Sequence, residues 1–344
     1  MRRVTIKDIA RIAGVSSSTV SRALSGSTEL SESTRSRILQ ICREEGYRVN
    51  ALARSLICSK TNVLGLIVPE VTNPFYSELS LGVETHARSL GYNVMLCNSL
   101  NDPKITEELF GFLLSHQVDG IILASSRNDS IHWMQQYSAA LPAVLLGTAT
   151  AENGAEVNSV SVDNQAGGRL AAEYLLSLGH RDILYLGYRP SSLTHRLRFS
   201  GFAEALQRAG VQPIVVENPA DASSITHGYE LSRQLFAKPI HYTAIFAATD
   251  SLALGVMQAA DECHISIPDD ISLLGFDNII YSSLPKITLS TVDQRKPLLA
   301  QAAVNLLTDI IDSSERDEFT HRLIRPTLIT RSSCRETGTV SKTP

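Results

Sequence analysis

The chain has 344 residues, of which 43% are hydrophobic and 19% charged, and a formal net charge of −4. That length suits two domains or slightly more, and the composition is that of an ordinary globular protein, which excludes a disordered chain. No stretch approaches the roughly 18 uninterrupted apolar residues of a spanning helix, and the start has no apolar signal core, so a cytoplasmic protein is expected. The five cysteines, Cys42, Cys58, Cys97, Cys263 and Cys334, are odd in number and form no CxxC pair. They suggest reduced thiols, with neither a disulfide framework nor a zinc cage. The net charge conceals an asymmetry: residues 1–60 hold 11 Lys and Arg against 5 Asp and Glu, and the remaining 284 residues hold 20 against 30. A small basic segment in front of a large acidic body is the charge pattern of a polyanion-binding module.

The basic segment reads as short helices. Thr5 can cap a first helix with Asp8 at its third position, and Ile6, Ile9, Ala10 and Ala13 form an apolar stripe. Gly14 is placed to end that helix, and Ser16 to cap a second in which Val20, Ala23 and Leu24 face inward. Two short helices joined by a glycine-containing turn form a helix-turn-helix, whose second helix can enter a major groove. Ser17 and Ser18 at its start are either caps or weakly discriminating base readers. Arg22, one turn on, is either a solvated charge or a bidentate guanine contact. A third helix, roughly Glu32 to Glu45, would bury Ile38, Leu39 and Ile41 and close at Gly46-Tyr47.

The runs Thr5-Ile6-Lys7-Asp8-Ile9-Ala10, Ala13-Gly14-Val15-Ser16 and Thr19-Val20-Ser21-Arg22, followed by Gly46-Tyr47-Arg48 and Asn50-Ala51-Leu52-Ala53-Arg54-Ser55-Leu56, resemble the lactose/galactose repressor (LacI/GalR) family of bacterial transcriptional regulators. The similarity runs to about Arg331. It implies a small all-α helix-turn-helix head (1–48), a hinge helix and linker (49–61), and an α/β body of periplasmic-binding-protein type (62–340) with two lobes of parallel sheet. Lobe 1 would span about 62–162 and 295–322, and lobe 2 about 163–294 and 323–340. The resemblance further implies a homodimer on pseudo-palindromic operator DNA, with a small effector, a carbohydrate, between the lobes. The DNA-facing candidates are Thr5, Ser16, Ser17, Ser18, Thr19, Ser21, Arg22, Ser31 and Thr34 in the head, and Asn50, Ala53 and Leu56 in the hinge.

Asn50 to Ile57 make only about two helical turns, too short to persist alone in water. The resemblance implies that two such hinges pair in the minor groove and insert Leu56 at the central base step, where a wedge unstacks the duplex and bends it. Two departures stand here. Val49 occupies a place where the family often has proline, and Ile57-Cys58 replaces a more basic exit.

Beyond Lys60, short β-branched runs alternate with helical stretches: Val63 to Val68, Asn93 to Cys97, Gly120 to Leu123, Ala143 to Leu146, Val160 to Val162, Ile183 to Leu186, Ile214 to Val216, Ala244 to Ala247, Ser272 to Leu274 and Leu289 to Val292. About ten strands overfill one doubly wound unit and suit two. Ligands of such sheets sit outside the strand carboxyl ends, which singles out four loops. Asn73, Phe75 and Tyr76 follow the first strand, the aromatics either stacking on a ring or capping the sheet. Arg198 and Asp277 match the family's ligand-binding arginine and effector-contacting acid. Thr249 precedes Asp250, itself either a helix cap or a ligand. Arg127 and Arg189, each beside serines, are either solvated or an anion subsite. The large aromatic of several relatives is absent around Ser223-Ser224.

No phosphate-loop, nucleophile-elbow, zincin or EF-hand pattern occurs, the histidines form no metal-spaced pair, and His180 fits a structural turn. No cofactor, metal or catalytic residue is expected, hence no enzyme. A transport-type sugar-binding protein would explain the body but not the basic head. A phosphorylated or acidic sugar, or a purine corepressor, is the alternative effector. The last residues contain no leucine heptads, so a C-terminal coiled-coil tetramer is not expected.

Overall fold

The computed structural model describes residues 4–25, 30–47, 60–127, 129–138, 140–149, 156–218, 224–313 and 319–338. It divides into two compact units, Met1–Thr61 and Asn62–Pro344.

In the first unit, α1 (Ile6–Ala13), α2 (Ser17–Ser25) and α3 (Glu32–Glu44) enclose one small core. Thr5 and Asp8 form a reciprocal capping box at the start of α1, and Gly14 ends the helix in the left-handed region at φ 68°. Ile9, Ala10 and Ala13 of α1 meet Val20 and Ala23 of α2, with Ile38 and Cys42 of α3 beneath them. The third helix departs from expectation, since Leu39 and Ile41 are only half-buried. Ile38 and Cys42, four residues apart and so on one helical face, are the pair that packs inward. The hinge residues Asn50, Ala53 and Leu56 lie outside the described residues.

The second unit alternates strand and helix: β1 (Val63–Val68), α4 (Pro74–Ser89), β2 (Asn93–Asn98), α5 (Pro103–Ser115), β3 (Gly120–Ala124), α6 (Ser130–Ser138), β4 (Ala143–Leu146), β5 (Ser159–Val162), α7 (Asn164–Ser177), β6 (Ile183–Tyr188), α8 (Leu193–Arg208), β7 (Ile214–Glu217), α9 (Ile225–Phe236), β8 (Ala244–Ala247), α10 (Asp250–Glu262), β9 (Ser272–Asp277), β10 (Ser290–Asp293), α11 (Lys296–Asp312), β11 (His321–Ile324) and β12 (Thr327–Ile329). Two six-stranded sheets result, in the orders β11-β5-β4-β3-β1-β2 and β12-β10-β9-β8-β6-β7. All ladders are parallel except β10 with β12.

Each expected strand occurs. The two added ones, β11 and β12, are four- and three-residue edge strands too short to show a period. Because β11 pairs with β5 through Ile324↔Val162, the last passage between sheets falls at 325–326, two residues beyond the expected lobe boundary.

The first sheet is packed on both faces, as a parallel sheet must be. Leu64, Leu66 and Val68 of β1 meet α4 and α11 through Leu79, Val83, Leu299 and Ala303. Ile67, on the other face, meets α5 and α6 through Phe110, Leu113, Ile131 and Met134. The second sheet carries its own core around Tyr185, Phe202, Phe246 and Phe276. His180 is structural, with Nδ1 bonded to Thr243 Oγ1 at 2.8 Å and Nε2 to the Arg335 carbonyl at 3.1 Å.

One helix crossing positions the site. A Cβ at Gly168 of α7 would lie 1.8 Å from the Arg198 carbonyl oxygen, and one at Gly201 of α8 would lie 1.9 Å from that of Gln165. Only glycine at both places lets the two helices approach closely enough for Arg198 to reach across to Asn164.

Candidate functional site

The head presents the start of α2. Ser16 caps it, accepting from Thr19 N at 3.1 Å, and its hydroxyl also bonds those of Ser18 (2.7 Å) and Thr19 (2.8 Å). Ser18 and Arg22 are exposed, while Ser17, Thr19 and Ser21 are half-buried. Thr5 is committed to its capping box, its hydroxyl donating to Asp8 Oδ2 at 2.7 Å. Ser31 caps α3, accepting from Thr34 N at 3.4 Å and bonding Thr34 Oγ1 at 2.8 Å. The cap of α2 is thus Ser16, while Ser18 contributes an exposed hydroxyl bonded to it and Ser17 makes no cap bond among the described residues. A helix N-terminus with exposed hydroxyls is itself a phosphate-facing surface.

In the second unit the two sheets turn their strand carboxyl ends toward each other, and a cavity of about 120 Å³ lies between them. Strand order reverses beside β1 and β3 in one sheet and beside β6 and β8 in the other, which is where open α/β sheets leave a crevice. At about 10–15 Å³ per water-sized group, the cavity has room for on the order of ten such groups, the size of one sugar ring or a purine base.

The first lobe contributes Asn73, Phe75 and Tyr76 from the loop and helix after β1. Asn73 caps α4 through Oδ1, which accepts from Phe75 N at 3.0 Å. The Phe75 and Tyr76 rings meet edge to face at 5.1 Å. Burial, followed by the nearby Asp277 carboxylate, pushes the Tyr76 hydroxyl up to about 12, so it stays a neutral donor.

The second lobe contributes Arg189, Thr194, His195, Arg198, Thr249 and Asp277. Arg198 is 2% exposed and fixed on every side. Nε and Nη2 donate to Asn164 Oδ1 at 3.2 and 2.8 Å, Nη1 donates to the Ala248 carbonyl, and the guanidinium lies 3.4 Å over the Phe276 ring. His195 is buried, and that burial, together with the charges of Arg198 and Arg189, holds it well below 6.5 as a neutral imidazole. Asp277 ends β9, with Oδ1 accepting from Gln294 at 2.5 Å. Burial raises its carboxyl to about 7 against the opposing pull of Arg198. Thr249 caps α10, accepting from Leu252 N at 3.3 Å, and still lines the cavity.

Asp250, which the sequence left between cap and ligand, is a buried organiser. Its carboxylate accepts from Thr291 Oγ1 and Ser282 Oγ at 2.6 Å and from Ile279 N at 3.0 Å, tying the segment after β9 to β10. Bonds that bridge the lobes beside the cavity include Ser192 Oγ donating to the Ser126 carbonyl at 2.7 Å, the Thr148 and Thr194 hydroxyls meeting at 3.0 Å, and Asn164 Nδ2 donating to Thr148 Oγ1 at 3.3 Å.

One candidate is misplaced. Arg127 does not line this cavity, because Asp129 holds it by bonds of 2.8 to 3.1 Å beside a smaller neighbouring pocket. Arg189, 5% exposed, is the loop arginine that faces the cavity. Sequence reading missed Asn164 and Gln294. Both follow strands at passages between the sheets, so the carboxyl-end rule that found Asp277 would also have found them. Among the described residues no cluster could hold a metal ion, and no helix is long and apolar enough to cross a membrane.

Residues 5–50 match the profile of bacterial regulatory proteins of the lacI family, and residues 172–334 match that of the periplasmic binding protein-like domain. The chain is 32% identical to the ribose operon repressor of Escherichia coli (strain K12) over 94% of each chain. It is 33% identical to catabolite control protein A of Priestia megaterium over 93% of this chain and 97% of that one. Its structure is similar to that of the lac repressor dimer bound to operator and the anti-inducer ONPF, with a TM-score of 0.86 at 26% identity, covering 97% of this chain and 100% of that one. With a helix-turn-helix head, a two-lobed body and similarity along nearly its whole length, the chain belongs to the lacI family of bacterial regulatory proteins.

Proposed function

We propose that this protein is a cytoplasmic transcriptional repressor, without enzymatic activity, that binds pseudo-palindromic operator DNA as a homodimer and releases or tightens its grip when one sugar or sugar derivative occupies the interlobe cavity. The observation that carries the reading is the arrangement at Asp277, Arg198 and Asn164. A buried carboxylate and a buried, fully oriented guanidinium face a single-ring-sized space walled by Phe75 and Tyr76. Carboxylates accept sugar hydroxyls, guanidinium forks donate to them, and aromatic faces stack on the ring.

In this reading Ser17, Ser18 and Arg22 meet base edges or phosphates. Leu56, with Asn50 and Ala53, forms the paired minor-groove hinge, and 1–48, 49–61 and 62–340 divide the labour. Leu81 of α4, Leu96 of β2 and Leu100 beyond it are exposed apolar side chains on the first lobe, which suit a subunit contact. A transport role is set aside because it leaves the basic helix-turn-helix without a use.

The test is a gel shift of the full chain on a palindromic operator, with and without single-ring sugars, sugar phosphates, uronates and purines. Operator binding that one of these compounds alters is expected. A chain that fails to bind any duplex at low ionic strength overturns the reading.

A further inference from the structure

Lys296 does not line the cavity, yet it is 5% exposed, and a buried ammonium is costly unless its donors are filled. Here they are. Nζ donates to the carbonyl oxygens of Asp277 and Asn278 at 2.7 Å each, and it lies 3.5 Å from the Glu78 carboxylate. Glu78 Oε1 in turn accepts from Ile280 N at 2.8 Å. Lys296 opens α11 and Glu78 lies on α4, both packed on the first sheet, whereas 277–280 leave the second. The pair therefore joins the two lobes at the segment that carries Asp277.

That segment needs holding. Asp277 and Asn278 sit at φ 125° and 51°, conformations disfavoured for L side chains and kept only where the surroundings over-determine them. Gln294 fixes the Asp277 side chain and Asp250 fixes Ile279 from the other side. The two carbonyls between them are held by Lys296.

We propose that Lys296, with Glu78 as its counter-charge, is a positioning residue of the effector site, fixing the backbone from which the Asp277 carboxylate enters the cavity and tying it to helix α4 of the other lobe. The inference deepens the effector reading and rests on it for its purpose, although its test does not need a sugar.

The charged and titratable groups facing Asp277 are Arg198 on α8, Asp250 on α10, Lys296 on α11 and Tyr76 on α4. Lys296→Met removes a cation that favours the ionised carboxylate. Glu78→Gln removes the anion that offsets that cation while keeping an oxygen for Ile280 N. The thermal midpoint of the full chain is followed from about pH 5 to about pH 9 in wild type and in both variants, each with and without Asp277→Asn, to isolate the Asp277-dependent step.

The step should move up by about one pH unit in Lys296→Met and down, by less, in Glu78→Gln. Shifts of opposite sign are a signature that a merely structural role does not produce. A uniform loss of stability with the step unmoved in both variants overturns the proposal. Should Lys296→Met fail to fold, Glu78→Gln decides alone, since that side chain is 29% exposed: a downward shift supports the proposal and no shift overturns it. Expected shifts in a chain that no sugar affects defeat only the effector reading, and unmoved steps in a sugar-responsive chain defeat only the positioning role.

Discussion

Replacing Asp277 by asparagine should stabilise the ligand-free protein, and increasingly so as pH rises. Burial moves this carboxyl from its ordinary 3.8 to about 7, with the attraction of Arg198 already included. Between those values the folded chain keeps a proton that the unfolded chain gives up. Native stability therefore falls as pH rises through that window and levels off above it. At about 1.36 kcal/mol per unit the full span amounts to about 4 kcal/mol, an upper bound because relaxation and water entry reduce it. Asparagine keeps an oxygen for Gln294 and has no charge to desolvate. The variant should match wild type near pH 4 and exceed it by up to about 4 kcal/mol at pH 8. At about 2–4 °C per kcal/mol this is a midpoint gain on the order of 10 °C. Thermal or urea unfolding of both chains across the pH range measures the difference directly. A difference that does not change with pH, or a wild type that is the more stable chain at pH 8, refutes the reasoning. The same variant should lose the effector response while retaining operator binding.

Effector affinity, read by calorimetry, should rise up to tenfold per pH unit as pH approaches 7 from below, with proton release, because ligand hydroxyls bind the ionised Asp277; a flat profile argues that the ligand avoids it. Gly168→Ala should cost about 3 kcal/mol or more, visible as a lowered unfolding midpoint, since its Cβ would meet the Arg198 carbonyl at 1.8 Å. Ser16→Ala should destabilise the head by about 1 kcal/mol through loss of the α2 cap, seen in head-selective hydrogen exchange. Leu56→Ala should weaken specific operator binding by tenfold or more and leave nonspecific binding unchanged, as titrations on operator and random duplexes would show.

What the sequence revealed and what it hid follow from the range of the forces involved. Strands β1 to β10 were legible because each is a short run rich in apolar residues between turn signals, and because burial on both faces of a parallel sheet makes such runs continuous in the central strands, as in β1, β3 and β8. Asp277 and Arg198 were legible through motif position. Arg127 was misassigned because two loop arginines beside serines look alike in one dimension. Only the fold shows that Asp129, two residues on, captures one of them, while the turn after β6 sends Arg189 inward. Lys296 was invisible for a related reason. A lysine opening a helix reads as a solvated charge until the backbone of a segment some 18 residues earlier is seen to offer it two carbonyls.

The distribution of contacts explains how one small molecule can control a lobe arrangement. Reversing a two-state population from about 1:99 to 99:1 takes roughly 5.5 kcal/mol of differential affinity. A net hydrogen bond supplies about 0.5–1.5 kcal/mol. No single contact suffices, so the ligand must bond several groups whose separation changes when the lobes move. The cavity meets that condition: Asn73 and Tyr76 belong to one lobe, Arg189, Arg198 and Asp277 to the other, and the lobe-bridging bonds at Ser126–Ser192 and Thr148–Thr194 lie beside them. A ligand held by both sets stabilises the arrangement in which those bridges form. One that reaches only the second lobe binds both arrangements equally and, however tightly it binds, shifts nothing.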